Sequence, residues 1–185
     1  MRNIRCTKTY ILIILVLILL IFSGCIHKQA SNQRLFGGKL ITFRADLDEA
    51  AKVPVYPNET VLLATLRDPQ VNWVYLAYIP NETENGFYAV TGYELAYKLT
   101  AAYKAMLGRV PAIRDMPLNE TPQQPARDEL IIWMRGPGAG ANQTAVSVDR
   151  GIIIVEGPDF SEVNRTWTDL DLAADRLLMV MMELE

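Results

Sequence analysis

Cysteine and histidine are almost absent from this chain of 185 residues. The two cysteines are Cys6 and Cys25 and the one histidine is His27, so residues 28–185 contain neither type. Zinc, copper and iron–sulfur centres take cysteine and histidine ligands, and a serine hydrolase triad needs a histidine base. The sequence therefore predicts no metal centre of these types, no cofactor and no catalytic triad. A hard-cation site built from carboxylates stays open as an alternative, although no calcium-loop spacing is present. The sequence also predicts a body that folds by core burial alone, without a disulfide.

A cluster of basic residues is missing as well. Of the 18 basic residues, Arg2, Arg5 and Lys8 precede residue 26, which leaves 15 against 21 acidic residues and a net charge of −6. Binding of nucleic acid depends on Lys and Arg side chains that neutralise phosphates. The composition therefore excludes nucleic acid as a partner.

One long apolar run is present, and it lies near the amino terminus. Tyr10 to Phe22 has no charged residue, and the tyrosine carries its only polar group. These thirteen residues match the apolar part of a secretory signal, which is about 7–15 residues long. Extension to Ile26 gives seventeen residues, at the lower limit of the roughly 17–25 that cross a bilayer. The segment is a signal peptide or, as the alternative, an uncleaved single-span anchor.

The run ends in Ile21-Phe22-Ser23-Gly24-Cys25. Small residues before a cysteine at this place resemble the lipobox of prokaryotic membrane lipoproteins, a likeness that covers residues 1–25 only. The resemblance implies cleavage before Cys25 and a thioether-linked lipid on its sulfur. It implies attachment to the membrane through the amino-terminal segment and leaves the rest of the chain without a family.

Five of the nine asparagines begin an Asn-x-Thr sequon, none with proline in the middle: Asn58, Asn81, Asn119, Asn142 and Asn164. This is an excess over random placement, because serine and threonine together number only sixteen residues. Such sequons are acceptors for N-glycosylation in exported proteins. We therefore expect these asparagines to be exposed, and the body to lie on the external face of the membrane. Together, the lipobox and the sequons are typical of an archaeal cell surface.

Five segments have the composition or alternation of β-strands. They are residues 39–44, 71–79, 129–134, 144–148 and 152–155. The last two are joined by Asp149-Arg150-Gly151, which predicts a hairpin turn. Residues 109–128 contain four prolines and predict an extended excursion over the surface.

Three segments predict helices. Asn58–Arg67 is a short one with an N-cap residue at its start. Thr91-Gly92-Tyr93-Glu94 has the arrangement of a capping box, and Gly108 is placed to end the helix that it opens. Thr168 is the expected N-cap of the last helix, which runs from about Asp169 to Met182.

These elements predict an α/β (α+β) fold, in which a mixed sheet of about five strands packs against two long helices and one short helix as a two-layer sandwich. The expected domain organisation is a signal or anchor at 1–25, a tether at 26–38 and one extracellular globular domain at 39–185.

Three candidate sites have a structural interpretation that we prefer. Gly136-Pro137-Gly138-Ala139-Gly140 could cradle a phosphate, but the next element is a strand and not a helix. Asp169, Asp171 and Asp175 share one helix; the first two suit a helix start, and Asp175 is placed to pair with Arg176. Tyr93, Tyr97 and Tyr103 could form an aromatic face for a sugar or a protein, with core packing as the preferred role. The sequence therefore predicts no catalytic residue.

Two functional classes remain after these exclusions. The first is a non-catalytic cell-surface lipoprotein that binds an envelope protein or glycan. The alternative is an exported hydrolase that uses carboxylates alone, with two acids near one cleft. The absence of histidine and cysteine from the body favours the first class.

Overall fold

The computed structural model of the chain describes residues 31–161 and 166–184. These residues belong to one compact unit, Ser31–Glu185. The smaller of its two sheets is an antiparallel hairpin of β1 (Gln33–Phe36) and β2 (Lys39–Thr42). The larger sheet consists of β3 (Val55–Tyr56), β4 (Trp73–Tyr78), β5 (Ala112–Pro117), β6 (Glu129–Arg135), β7 (Ala145–Asp149) and β8 (Ile152–Glu156).

The order of strands across the larger sheet is β3-β7-β8-β6-β4-β5. Neighbours among β5, β4, β6 and β8 are parallel, while β7 pairs antiparallel with β8 and parallel with β3. The four parallel strands therefore end together, at a side of the sheet that we call the carboxyl edge. We call the opposite side, where these strands begin, the amino edge.

Four α-helices and a short 3-10 helix at Pro137–Ala139 complete the described part of the chain. The α-helices are α1 (Leu47–Ala50), α2 (Glu59–Leu66), α3 (Asn85–Leu107) and α4 (Asp169–Met182). Asn58 caps α2, because its side-chain oxygen accepts a hydrogen bond from the Val61 N–H at 3.0 Å. Thr168 and Asp171 form a capping box at the start of α4. The short helix and the last helix thus begin where the sequence predicts.

All four α-helices pack on the same face of the sheet. Their buried residues join those of β4, β6 and β8 in the main core, which includes Leu76, Leu99, Ile132 and Leu177. The predicted class, a mixed α+β sandwich, is confirmed. The described part holds eight strands and four α-helices, more than predicted, because the hairpin strand β1, the two-residue β3, the edge strand β5 and the one-turn α1 were not foreseen.

The other face of the sheet carries a smaller apolar cluster of Ala77, Ile131, Trp133 and Ile152. The chain between β5 and β6 has to pass β4, which lies between these two strands. Leu118, at the start of this connection, packs against the cluster, and Pro122 is buried. The proline-rich excursion therefore belongs to the fold and helps to cover the second face.

Three element boundaries differ from prediction. Residues 33–36, expected in the tether, form β1, so this part of the tether belongs to the compact unit Ser31–Glu185. Residues 112–117, expected in the excursion, form β5, whose closing Pro117 is tolerated because β5 is an edge strand. Helix α3 starts at Asn85, six residues before Thr91.

Thr91 does not cap α3, because its hydroxyl is used elsewhere. It donates a hydrogen bond to Asp171 Oδ1 at 2.8 Å, in the contact between α3 and α4. The preceding turn is helical because its aromatic residues are packed. Phe87 and Tyr88 both contact Phe160, and Tyr88 stacks on Tyr78. The helix ends at Gly108, which has a positive φ of 67°, so its end was predicted and its start was not.

Candidate functional site

The acidic residues of α4 are occupied by structural contacts. Asp171 Oδ2 accepts the Thr168 N–H at 3.0 Å and lies 3.6 Å from the Arg44 guanidinium. Its other oxygen accepts the Thr91 hydroxyl. Asp175 was predicted to pair with Arg176. This prediction is wrong, because Arg176 pairs with Glu59 of α2 instead. The predicted carboxylate cluster is therefore not an open acid–base site.

Asp175 lies opposite a buried lysine. Lys98 of α3 is 1% exposed, and its Nζ lies 2.9 Å from Glu94 Oε2 and 3.6 Å from Asp175 Oδ1. The second oxygen of Asp175 accepts the Ala45 N–H at 2.7 Å. Desolvation raises the pKa of Asp175 to about 6, although the charge of Lys98 opposes this shift. This cluster joins the segment after β2 to helices α3 and α4.

A buried carboxylate binds the backbone of the glycine-rich loop at residues 136–140. Glu84 is buried, and its Oε1 accepts the Gly138 N–H at 2.7 Å. Its Oε2 accepts the Tyr88 hydroxyl at 2.8 Å, and that hydroxyl accepts the Gly136 N–H at 3.0 Å. Burial, followed by the hydrogen bond to Glu84, raises the pKa of the Tyr88 hydroxyl. Glu84 and the Tyr88 hydroxyl already accept the Gly138 and Gly136 N–H groups that a phosphate would need, so the loop is not a phosphate site.

The same contacts explain why two positions in the loop are glycine. A Cβ at Gly136 would lie 2.5 Å from the Tyr88 hydroxyl oxygen. A Cβ at Gly138 would lie 2.6 Å from Asn81 Nδ2 and 2.7 Å from Glu84 Oε1. The glycines therefore allow close packing between the loops that follow β4 and β6.

Two of the three tyrosines of α3 are exposed. Tyr93 and Tyr97 have 71% and 60% of their surface in solvent, whereas Tyr103 is buried and donates its hydroxyl to the Leu66 carbonyl at 2.8 Å. The preference for core packing is thus confirmed for Tyr103 and wrong for the other two. Tyr93 and Tyr97 are four residues apart, so they lie on one face of the helix.

Tyr93 borders a cleft of about 330 Å³ between α3 and the carboxyl halves of β4 and β5. The apolar part of its lining includes Leu76, Ala96 and Met134. The polar part comes from Tyr78, Tyr88, Tyr93 and Asp115. Gly92 opens the cleft, because a Cβ there would lie 3.4 Å from Met134 Cε. An apolar cleft with a few polar groups at its rim is the usual form of a binding site.

The chemistry available in this cleft is limited. Among the described residues that line it, Asp115 is the one carboxylate. Glycoside hydrolysis by carboxylates needs two, about 5–10 Å apart. The described residues also contain no group of three or more His, Cys, Asp or Glu side chains that could hold a metal ion. The arrangement suits binding through tyrosine rings and hydroxyls.

The sequon asparagines are distributed unevenly over the fold. Asn81, Asn119 and Asn142 all lie in loops at the carboxyl edge, after β4, β5 and β6, while Asn58 lies at the start of α2. Asn58, Asn119 and Asn142 are exposed, as predicted, and Asn81 is half-buried. Asn164 and Cys25 lie outside the described residues.

The apolar run at residues 10–22 also lies outside the described residues. Within the described part, no helix combines the length and the apolar character needed to cross a membrane. Comparisons with protein-family models, curated proteins and solved structures gave no match.

Proposed function

We propose that this protein is a non-catalytic, lipid-anchored component of the external cell surface, and that it binds an envelope partner through the tyrosine face of α3. The observation that carries the proposal is the exposure of Tyr93 and Tyr97 on one face of α3, 71% and 60% respectively, with Tyr93 at the rim of the cleft. Large exposed aromatic residues at a cleft are typical of interaction sites, since tyrosine combines an apolar ring with a hydrogen-bonding hydroxyl.

The state of the buried acids supports binding over hydrolysis. Glu84, Asp171 and Asp175 are each held by hydrogen bonds or ion pairs inside the fold. Asp115 is left as the acid of the cleft, without a second carboxylate among the described lining residues. No observation therefore favours the carboxylate-based hydrolase.

The external location rests on the lipobox and the sequons. Three of the five sequons meet at the carboxyl edge, although they are distant in sequence. Glycans need asparagines on surface loops, and loops at one edge of the sheet can carry several of them without disturbing the core. The anchor at Cys25 keeps the glycosylated body on the outer face of the membrane.

The tyrosine face can be tested by site-specific photo-crosslinking. We expect a benzophenone side chain in place of Tyr93, in the full chain within its native membranes, to give a discrete covalent adduct with one envelope protein or glycan. Tyr56 is the matched control, because it is a tyrosine with 49% of its surface exposed at the opposite end of the sheet. The same probe at Tyr56 should not give this adduct. Equal adducts at both positions, or none at Tyr93, would contradict partner binding at this face.

A further inference from the structure

The hairpin of β1 and β2 exposes two adjacent leucines. Leu35 and Leu40 are direct cross-strand partners, and 69% and 57% of their surface is exposed. Because side chains alternate along a strand, they share their face of the hairpin with Gln33 and Thr42. This outer face is therefore uncharged and apolar at its tip.

The opposite face of the hairpin packs on the body. Ile41 is buried, and Phe36 packs against the main core. The turn at Gly37–Gly38 has positive φ angles of 55° and 77°, and a Cβ at Gly37 would lie 3.1 Å from Ala105 Cβ. Ala105 lies near the end of α3, which returns to the amino edge before β5 begins. The leucines thus lie at the amino edge, away from the sequons at the carboxyl edge.

The surface beside the hairpin is basic and aromatic. A cavity of about 370 Å³ separates the hairpin from α3, and Tyr97 and Val110 form part of its wall. Lys39 and Lys104 line it, and no acidic residue does so among those described. An apolar tip with lysines behind it is typical of surfaces that lie in the membrane interface.

The hairpin follows the anchor closely in the chain. Eight peptide links separate Cys25 from Gln33, and an extended chain spans at most about 3.6 Å per residue. A lipid on Cys25 would therefore hold Gln33 within roughly 30 Å of the lipid surface. Such a short link gives the hairpin a high local concentration at the membrane, so a small apolar tip can suffice for contact.

We propose that the outer face of the hairpin docks on the lipid surface, with Leu35 and Leu40 in the boundary between headgroups and acyl chains. Lys39 lies on the opposite face of the hairpin and lines the cavity with Lys104, so the two lysines are behind the leucines, toward the headgroup phosphates. The proposal rests on the anchor of the proposed function and adds an orientation: the carboxyl edge and its sequons point away from the membrane.

Quenching by brominated lipids tests this contact in the full chain. We would replace Leu40 by Trp and, as a matched control at the carboxyl edge, the exposed Glu120 by Trp. Each chain is placed in vesicles of phosphatidylcholine and phosphatidylglycerol with brominated acyl chains, and the signal of the unsubstituted chain is subtracted. We expect the fluorescence of the Leu40→Trp chain to fall about two-fold or more, while that of the Glu120→Trp chain stays almost unchanged.

The outcomes separate the hairpin from the anchor. Addition of Leu35→Ser and Lys39→Gln to the Leu40→Trp chain should weaken the quenching while the chain stays on the vesicles. A vesicle-bound chain whose Leu40→Trp side chain is not quenched would overturn the docking proposal and leave the anchor standing. A chain that does not bind the vesicles would contradict both. Emission that changes with the ratio of protein to lipid, without quenching, would indicate a second copy on the leucines and would also overturn the proposal.

Discussion

Asp175 and Lys98 are charged groups placed inside the main core. Only 2% and 1% of their surface is exposed, and their charged atoms lie 3.6 Å apart. Transfer of a carboxylate out of water is costly, and one ion pair at this distance does not fully repay the cost. The pKa of Asp175 is raised to about 6 because the desolvation of its carboxylate outweighs the attraction of Lys98. The cluster therefore fixes how the segment at Ala45 meets the two helices, at some expense in stability near neutral pH.

The pKa of Asp175 predicts a pH dependence of stability. The pKa of Asp175 is about 6 in the folded chain, against the ordinary value of 3.8 in the unfolded chain. Between these two pH values the folded state therefore holds a proton that the unfolded state has lost. The contribution of Asp175 is then fully present below pH 4 and is lost as the pH rises through about 6. We expect the wild-type chain to lose on the order of 2–3 kcal/mol relative to Asp175→Asn between pH 4 and pH 7.

Urea denaturation of both chains at several pH values measures this difference. Glu94, 2.9 Å from Lys98 Nζ, remains to neutralise the lysine in the variant. Parallel stability curves for the two chains across this range would show that the buried carboxylate does not titrate as described.

At the scale of elements, the contact between β8 and the start of α4 decides the position of the last helix. Gly157 directly follows β8, and a Cβ there would lie 2.2 Å from the Leu170 nitrogen and 2.5 Å from the Asp169 carbonyl carbon. Both atoms belong to the backbone, so no rotamer change relieves the clash. The capping box of Thr168 and Asp171 fixes the same turn from within the helix.

Gly157→Ala should therefore destabilise the protein by about 1–3 kcal/mol or more, the range for overpacking in a filled core. Gly86→Ala is the matched control, because Gly86 lies in α3 and a Cβ there would meet nothing within 4 Å. This second substitution should be neutral or stabilise by up to about 1 kcal/mol, since alanine is the better helix former. Thermal unfolding of both variants checks the prediction. Equal effects would show that the start of α4 moves freely away from β8.

At the scale of the whole molecule, the fold places different features at its two edges. The carboxyl edge gathers the loops of Asn81, Asn119 and Asn142, while the tip of the hairpin lies toward the amino edge. The tyrosine face of α3 lies along the body between them. In the proposed orientation the glycans of Asn81, Asn119 and Asn142 project outward, and Tyr93 remains open to a partner beside the membrane.

In the proposed function, the anchor sets the location of the whole molecule. We expect the native protein to start at Cys25 and to carry a lipid there, so Cys25→Ser should move most of the chain to the soluble fraction or leave an uncleaved precursor. Cys6→Ser is the matched control, because it changes the other cysteine and should leave attachment intact. Intact mass and membrane fractionation measure both variants. Unchanged mass and retention of the Cys25→Ser chain would favour the uncleaved single-span anchor.

Local sequence determined the elements whose signals are complete within a few residues. Asn58 and Thr168 cap their own helices, Gly108 ends α3 and Asp149-Arg150-Gly151 turns the chain between β7 and β8. The strands of the sheet centre were also predictable, because they are buried on both faces and read as continuous apolar runs. Such features depend on backbone geometry and short-range hydrogen bonds, which neighbouring residues supply.

Only the tertiary structure decided the features that depend on distant partners. Thr91 looked like a cap, but Asp171, eighty positions away, takes its hydroxyl. Lys98 is buried because Asp175 and Glu94 meet it there, and Tyr93 and Tyr97 are exposed because the strands contact another face of α3. The shared edge of three sequons likewise follows from strand order. The physical reason is the same in each case: burial and pairing are set by chain segments far apart in sequence, which no local pattern encodes.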